Sequence, residues 1–175
     1  MFKMLLHDSW TVGLAADGGR ADVPAAVRDR IIPAAVPGCV HTDLLAADLI
    51  PDPYVAGNDL AMTWIGRCDW RYTTRFDAPA EALAHERIEL VCDGLDTVAT
   101  LTLNGVEIGR AENMHLARRF DIRSALRPTD NELTIRFGSP LAYAEAQRDR
   151  LGDLPATDNG SNPPLPHNFI RKMAC

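Results

Sequence analysis

Leu101-Thr102-Leu103-Asn104-Gly105-Val106-Glu107-Ile108 is the stretch from which the fold is read. Asn-Gly is a preferred central pair for a type I′ turn, because both positions need positive φ and these residue types accept it readily. A two-residue loop there sets Leu103 opposite Val106 and Leu101 opposite Ile108. Both pairs are apolar and fall on one face, so turn chemistry and burial pattern specify the same register. A hairpin with one face against a core is expected.

The same period of two continues outward on both sides. Upstream, Ile88, Leu90 and Cys92 alternate with Glu89, Val91 and Asp93. In Asp69 to Phe76, the bulky Trp70, Tyr72 and Phe76 share a face, opposite Arg71, Thr73 and Arg75. Trp10-Thr11-Val12-Gly13-Leu14 places its apolar side chains on one side. Downstream, Leu133, Ile135 and Phe137 alternate with Glu132, Thr134 and Arg136. Half-buried antiparallel strands need this pattern, since successive side chains point to opposite faces of a sheet.

Helical signals are few. Val40 to Asp48 suits a short helix ended by Pro51. Ser139-Pro140 has the form of an N-cap and first-turn proline, opening a helix over Leu141 to Leu151 that Gly152 closes. Short irregularly spaced strands with little helix predict an all-β protein, a jelly-roll β-sandwich with a few short helices.

Composition narrows the function classes. The 175 residues are 46% hydrophobic and 24% charged, and the formal net charge is -6. A nucleic-acid binder would concentrate basic side chains on one face, so no nucleic-acid partner is expected. No apolar run is long enough for a membrane span, and no membrane partner is expected. Lys3, His7 and Asp8 interrupt what would be the core of an export signal, which predicts a cytoplasmic protein. Cys39, Cys68, Cys92 and Cys175 form no CxxC pair and stand at no metal-ligand spacing from a histidine, so no metal site is expected. Neither GxGxxG nor a P-loop is present, and no cofactor is expected.

The order of the remaining motifs carries a resemblance. After Trp10 come Val36-Pro37-Gly38-Cys39-Val40-His41-Thr42-Asp43-Leu44, Ile50-Pro51-Asp52-Pro53-Tyr54, Trp64-Ile65-Gly66-Arg67 and Asp69-Trp70. Then follow Asp93-Gly94-Leu95-Asp96-Thr97-Val98-Ala99, Leu103-Asn104-Gly105, Asn113-Met114, Asn131-Glu132-Leu133 and Asn168-Phe169-Ile170-Arg171-Lys172. This series resembles the N-terminal sugar-binding, galactose-binding-domain-like domain of family 2 β-mannosidases along nearly the whole chain. The Gly-Leu-Asp-Thr and Leu-Asn-Gly pieces are shared by family 2 enzymes generally. The Pro-Gly-x-Val-His-x-Asp-Leu stretch and the closing Phe-Ile-Arg-Lys lean towards the mannosidase branch.

The resemblance implies residues 1–154 as the sandwich and 155–175 as an extended arm leading to further domains, an immunoglobulin-like one and a (β/α)8 barrel. In the family a Trp-Asp-Trp-Gly stretch follows the Arg-Lys segment, whereas here the chain stops at Cys175. The two catalytic carboxylates lie on the barrel, so no catalytic residue is expected in this chain. The complete enzyme would hydrolyse terminal non-reducing β-D-mannose with retention, this domain forming one wall of the pocket. Two alternatives are a free-standing carbohydrate-binding module, and the same domain from an exo-glucosaminidase, β-galactosidase or β-glucuronidase.

Four residues are expected to bind substrate: Arg171, Asn168 and Lys172 of the arm, whose amide and cations suit sugar hydroxyls, and Trp64, whose ring face suits a pyranose. Trp70, on the apolar face of a strand, reads as core instead. Asp93 and Asp96 form a carboxylate pair such as a glycosidase needs, but Asp beside Gly between strands is ordinary turn chemistry. His41, at the start of a helix, reads as packed or capping.

Overall fold

The computed structural model describes residues 2–16, 23–55, 57–153 and 169–170. The alternating stretches become β1 (Trp10–Leu14), β3 (Trp70–Phe76), β4 (Glu89–Cys92), β5 (Ala99–Leu103), β6 (Val106–Ala111) and β8 (Asn131–Phe137). Two strands that alternation did not reveal join them, β2 (Ile31–Ala34) and β7 (Arg118–Asp121). One sheet has the order β2-β1-β3-β8-β5-β6, a second pairs β4 with β7, and every pairing is antiparallel. The expected all-β sandwich is what the chain forms.

Register follows the apolar face. Val12 pairs with Tyr72 and Tyr72 with Ile135. Ile135 in turn pairs with Leu101, so one row of four strands turns the same way into the core. Val12 and Leu101 are fully buried, each worth about 1.5–3 kcal/mol of hydrophobic stabilisation. The thin second sheet adds Phe120 from β7, and Leu44, Ile50, Met62, Trp64 and Ile65 from helices and loops make up more of the core.

The hairpin forms at Asn104-Gly105, with φ of 53° and 84°, and Leu103 does pair with Val106. The expected second pair does not form. Leu101 faces Gly109, and the register slips between Leu101 and Thr102. This bulge leaves Ile108 as the extra residue and sets Gly109 against the ring of Phe120, where a Cβ would overlap the ring carbons. The inter-sheet contact thus overrides the simple two-residue register.

Polar groups then lock the hairpin to β8. Asn131 is fully buried. Its Nδ2 donates to the carbonyls of Phe76 and Arg127, and its Oδ1 accepts from Arg127 N–H and Asn104 Nδ2. All its hydrogen-bonding capacity is used, as a buried amide requires.

The helices are α1 (Ala25–Arg28), α2 (Val40–Ala46), α3 (Asn58–Ala61), α4 (Ala80–Leu83) and α5 (Pro140–Leu151), with a 3₁₀ turn at Thr63–Arg67. The expected cap of α5 is present: Ser139 Oγ accepts from Ala142 N–H at 3.0 Å, with proline in the first turn. Among the described residues no helix is long and apolar enough to cross a membrane. Most of the expected arm, 155–168 and 171–175, lies outside the described residues; within it Ile170 is 6% exposed.

Candidate functional site

A cleft of about 580 Å³ opens over the inner face of the large sheet. Its walls are built by residues distant in sequence: Val36 to His41, Ile65 and Gly66, Gly94 to Thr97, Met114, and Gly138 with Pro140. Its floor is the inner face of the large sheet, with Trp10, Trp70, Tyr72, Ile135 and Phe137. Pro-Gly-Cys-Val-His, Trp-Ile-Gly, Gly-Leu-Asp-Thr and Asn-Met are separate motifs in the sequence. In space each supplies residues to this one cavity.

Each wall is held by specific bonds. Asp43, 4% exposed in α2, accepts from Ala35 N–H with Oδ1 and from the Tyr72 hydroxyl with Oδ2, both at 2.9 Å. It thereby fastens the loop before Cys39 to β3. Burial, and then the negative charge of Asp43, hold the Tyr72 phenol well above its ordinary pKa, so the hydroxyl stays protonated and donates. Gly38 lies against the carbonyl of Ala35 with no room for a Cβ. Thr42 Oγ1 accepts from Cys39 N–H and donates to Cys39 O. That closes the start of α2, so the capping falls to Thr42 and His41 is left packed.

The opposite wall is pinned through the 3₁₀ turn. Trp70 Nε1 donates to Ile65 O at 3.0 Å and Ser139 Oγ to Gly66 O at 2.8 Å. Asp69 then joins β3, β8 and α5: its Oδ2 accepts from Arg136 Nη2 at 2.6 Å, and its Oδ1 from Ser139 N–H at 2.7 Å. A charge-assisted pair, half shielded from water, is stronger than a fully exposed one.

His41 is half-buried and lines the cleft, and its Nε2 is buried without a hydrogen-bond partner. Burial lowers its pKa, so the ring is neutral near pH 7. Asp93 and Asp96 are both exposed in the turn after β4, in keeping with turn chemistry. Among the described residues no group of three or more His, Cys, Asp or Glu is placed to hold a metal ion.

The expected binding residues fare unequally. Trp64 is 7% exposed and packs on Trp70 with ring centroids 6.1 Å apart. Its ring belongs to the core cluster of this domain. Trp70, at 5% exposure, is core as read. Asn168, Arg171 and Lys172 lie outside the described residues. Sequence reasoning missed the pairing of Asp43 with Tyr72. Its only local signal was an acid directly before two leucines in a short helix.

Comparison with known proteins adds independent findings. A family described as glycosyl hydrolase 2 galactose-binding domain-like matches residues 13–175. The β-mannosidase of Capra hircus is 38% identical over 149 residues, covering 82% of this chain and 17% of that protein. β-Mannosidase B of Thermothelomyces thermophilus is 43% identical over 103 residues, covering 59% of this chain and 12% of its own. The crystal structure of a β-D-mannosidase from Dictyoglomus thermophilum superposes with a TM-score of 0.81 at 33% identity, covering 95% of this chain and 19% of the other. The chain thus spans less than a fifth of the length of these relatives.

Proposed function

The chain belongs to the glycosyl hydrolase 2 galactose-binding domain-like family, and from this premise we propose that it is the N-terminal domain of a longer β-mannosidase and forms one wall of that enzyme's substrate pocket. The observation that carries the reading is the convergence of four separated motifs on one cleft.

In this reading the complete protein hydrolyses terminal non-reducing β-D-mannose residues. A glutamate acid/base and a glutamate nucleophile in downstream domains carry the chemistry, with double displacement and retention at the anomeric carbon. Beside the cleft, Asp43 bonds Tyr72 and Ala35 and Asp69 bonds Arg136 and Ser139, while Asp96, which lines it, is an exposed residue of the turn after β4. Asn168, Arg171 and Lys172 are proposed to reach the pocket and bond sugar hydroxyls. A free-standing sugar-binding module would find no stacking platform in Trp10, Trp64 or Trp70, all of which are buried.

The test is hydrolysis of an aryl β-mannoside by the complete protein, followed by NMR. Release of mannose as the β-anomer, with no release by the 175-residue chain alone, is the expected result. An inverted product, or activity of the chain alone, would refute the reading.

A further inference from the structure

The turn that presents Tyr54 is built to hold an aromatic ring in solvent. Tyr54 is 97% exposed. Its N–H donates to Asp52 Oδ1 at 2.9 Å, and Val55 N–H donates to Asp52 O at 3.2 Å. The Asn58 side chain donates to that same carbonyl at 2.9 Å, tying the start of α3 to the turn. These bonds fix the backbone around Tyr54.

Two more apolar side chains share the unit, Val55 at 56% and Leu60 at 66% exposure. Single exposed apolar residues are normal, and Ile31, Val106 and Leu151 are of that kind on separate elements. Three fall within seven positions, on a hydrogen-bonded turn and the short helix tied to it, and exposed apolar residues gathered in this way mark an interface.

Charge narrows the occupant. No Lys or Arg occurs between Arg30 and Arg67, and Asp48, Asp52 and Asp59 in that interval are all exposed. A covering surface would therefore have an apolar centre and a Lys/Arg rim. The relatives extend far beyond the matched segment, which makes up 17–19% of their length. More than four-fifths of such a protein is available to supply that surface.

We propose that Tyr54, Val55 and Leu60 form the seat on which a downstream part of the same polypeptide docks, through an apolar centre ringed by basic side chains. This rests on the reading above that the chain belongs to a longer protein, and adds which face of the domain the remainder covers.

The experiment uses the complete protein in three forms: unaltered, Tyr54→Glu and Val106→Glu. The last alters another exposed apolar residue, at the edge of the sheet, 55% exposed. Limited proteolysis follows release of this domain as a fragment of about 19 kDa. Tyr54→Glu is expected to speed release at least about tenfold, as undocking exposes the connecting chain, and Val106→Glu to leave it unchanged. Tyr54→Phe should behave as the unaltered protein. Equal rates for the two glutamate variants would overturn the proposal. So would a raised KM for aryl β-mannoside with the release rate unchanged, which would make Tyr54 a sugar contact. Loss of a dimer on Tyr54→Glu, seen by sedimentation without faster release, would assign the patch to a second copy instead. Absence of mannosidase activity from the complete protein would sink the proposed function while leaving the release rates readable.

Discussion

Asn104 donates from Nδ2 to Oδ1 of Asn131 at 2.9 Å, joining the tip of the hairpin to the first residue of β8. Asn104 also holds Glu132 from both sides, accepting from its N–H with Oδ1 and donating its own N–H to its carbonyl. Asn131→Leu keeps the branched side-chain skeleton but strands the Arg127 N–H and the carbonyls of Phe76 and Arg127. A loss of about 2–4 kcal/mol is expected, since buried groups left without partners cost more than an average hydrogen bond contributes. Urea denaturation measures it, and a change below about 1 kcal/mol at unchanged slope would show that water replaces the amide.

Gly109 and Phe120 set the spacing of the two sheets where the bulge lies. Gly109→Ala must push the ring aside, at an expected cost of about 1–3 kcal/mol from overpacking. Phe120→Leu in the same chain should recover part of that loss, giving a coupling of at least about 0.5 kcal/mol in a double-mutant cycle. Strict additivity would mean that the ring moves freely and the bulge has another cause. Gly38→Ala is expected to cost more than Gly109→Ala, because its Cβ meets the backbone carbonyl of Ala35 rather than a side chain.

These two cases mark what was legible in the sequence. The hairpin was readable because Asn104-Gly105 states its own turn chemistry within two residues. The bulge was not, because Phe120 causes it from another sheet. β2 escaped because Pro33 weakens a strand signal, yet β2 is an edge strand and can spare one N–H. β7 escaped because Arg118-Arg119-Phe120-Asp121 has one apolar residue and shows no alternation. At the site, the motifs were visible but their convergence was not. Asp43 and Tyr72 are 29 positions apart, and only the register of β1 on β3 brings the loop and the strand together. Trp64 and Trp70 are the same residue type six positions apart, and nothing local says that both rings turn inward.

The cysteines should separate in reactivity. Cys39 is exposed, and Cys68 is buried with its Sγ donating to Trp64 O at 3.2 Å. Burial, with Asp93 adding to it, pushes the Cys92 thiol up to about 11. The thiolate is the nucleophile, and at pH 8 such a thiol is ionised to only about one part in a thousand. Of these three, iodoacetamide at pH 8 is expected to label Cys39 first, Cys92 at least about tenfold more slowly, and Cys68 only after unfolding. Peptide mass spectrometry over a time course reads the order, and early labelling of Cys68 would contradict the packing of the 3₁₀ turn.

Stability should fall on both sides of neutrality, each limb tied to a named group. His41 is held neutral by burial, so its folded pKa lies below the unfolded value of about 6.5. Its contribution is present above about pH 6.5 and is lost as pH falls, because only the unfolded chain takes the proton freely. His41→Gln should therefore flatten the denaturation midpoint between about pH 5 and 6.5. Tyr72 shifts the other way, with burial the larger cause and Asp43 the next. Its contribution is complete below the unfolded value of about 10 and declines as pH rises past it. Cys92 begins to contribute lower on the same limb, from its ordinary value of 9.0 up to about 11. Tyr72→Phe should then reduce the slope above about pH 10, and Cys92→Ala the part between about 9 and 11. An alkaline limb that survives both substitutions unchanged would mean that the phenol bonded to Asp43 and the buried thiol do not govern it.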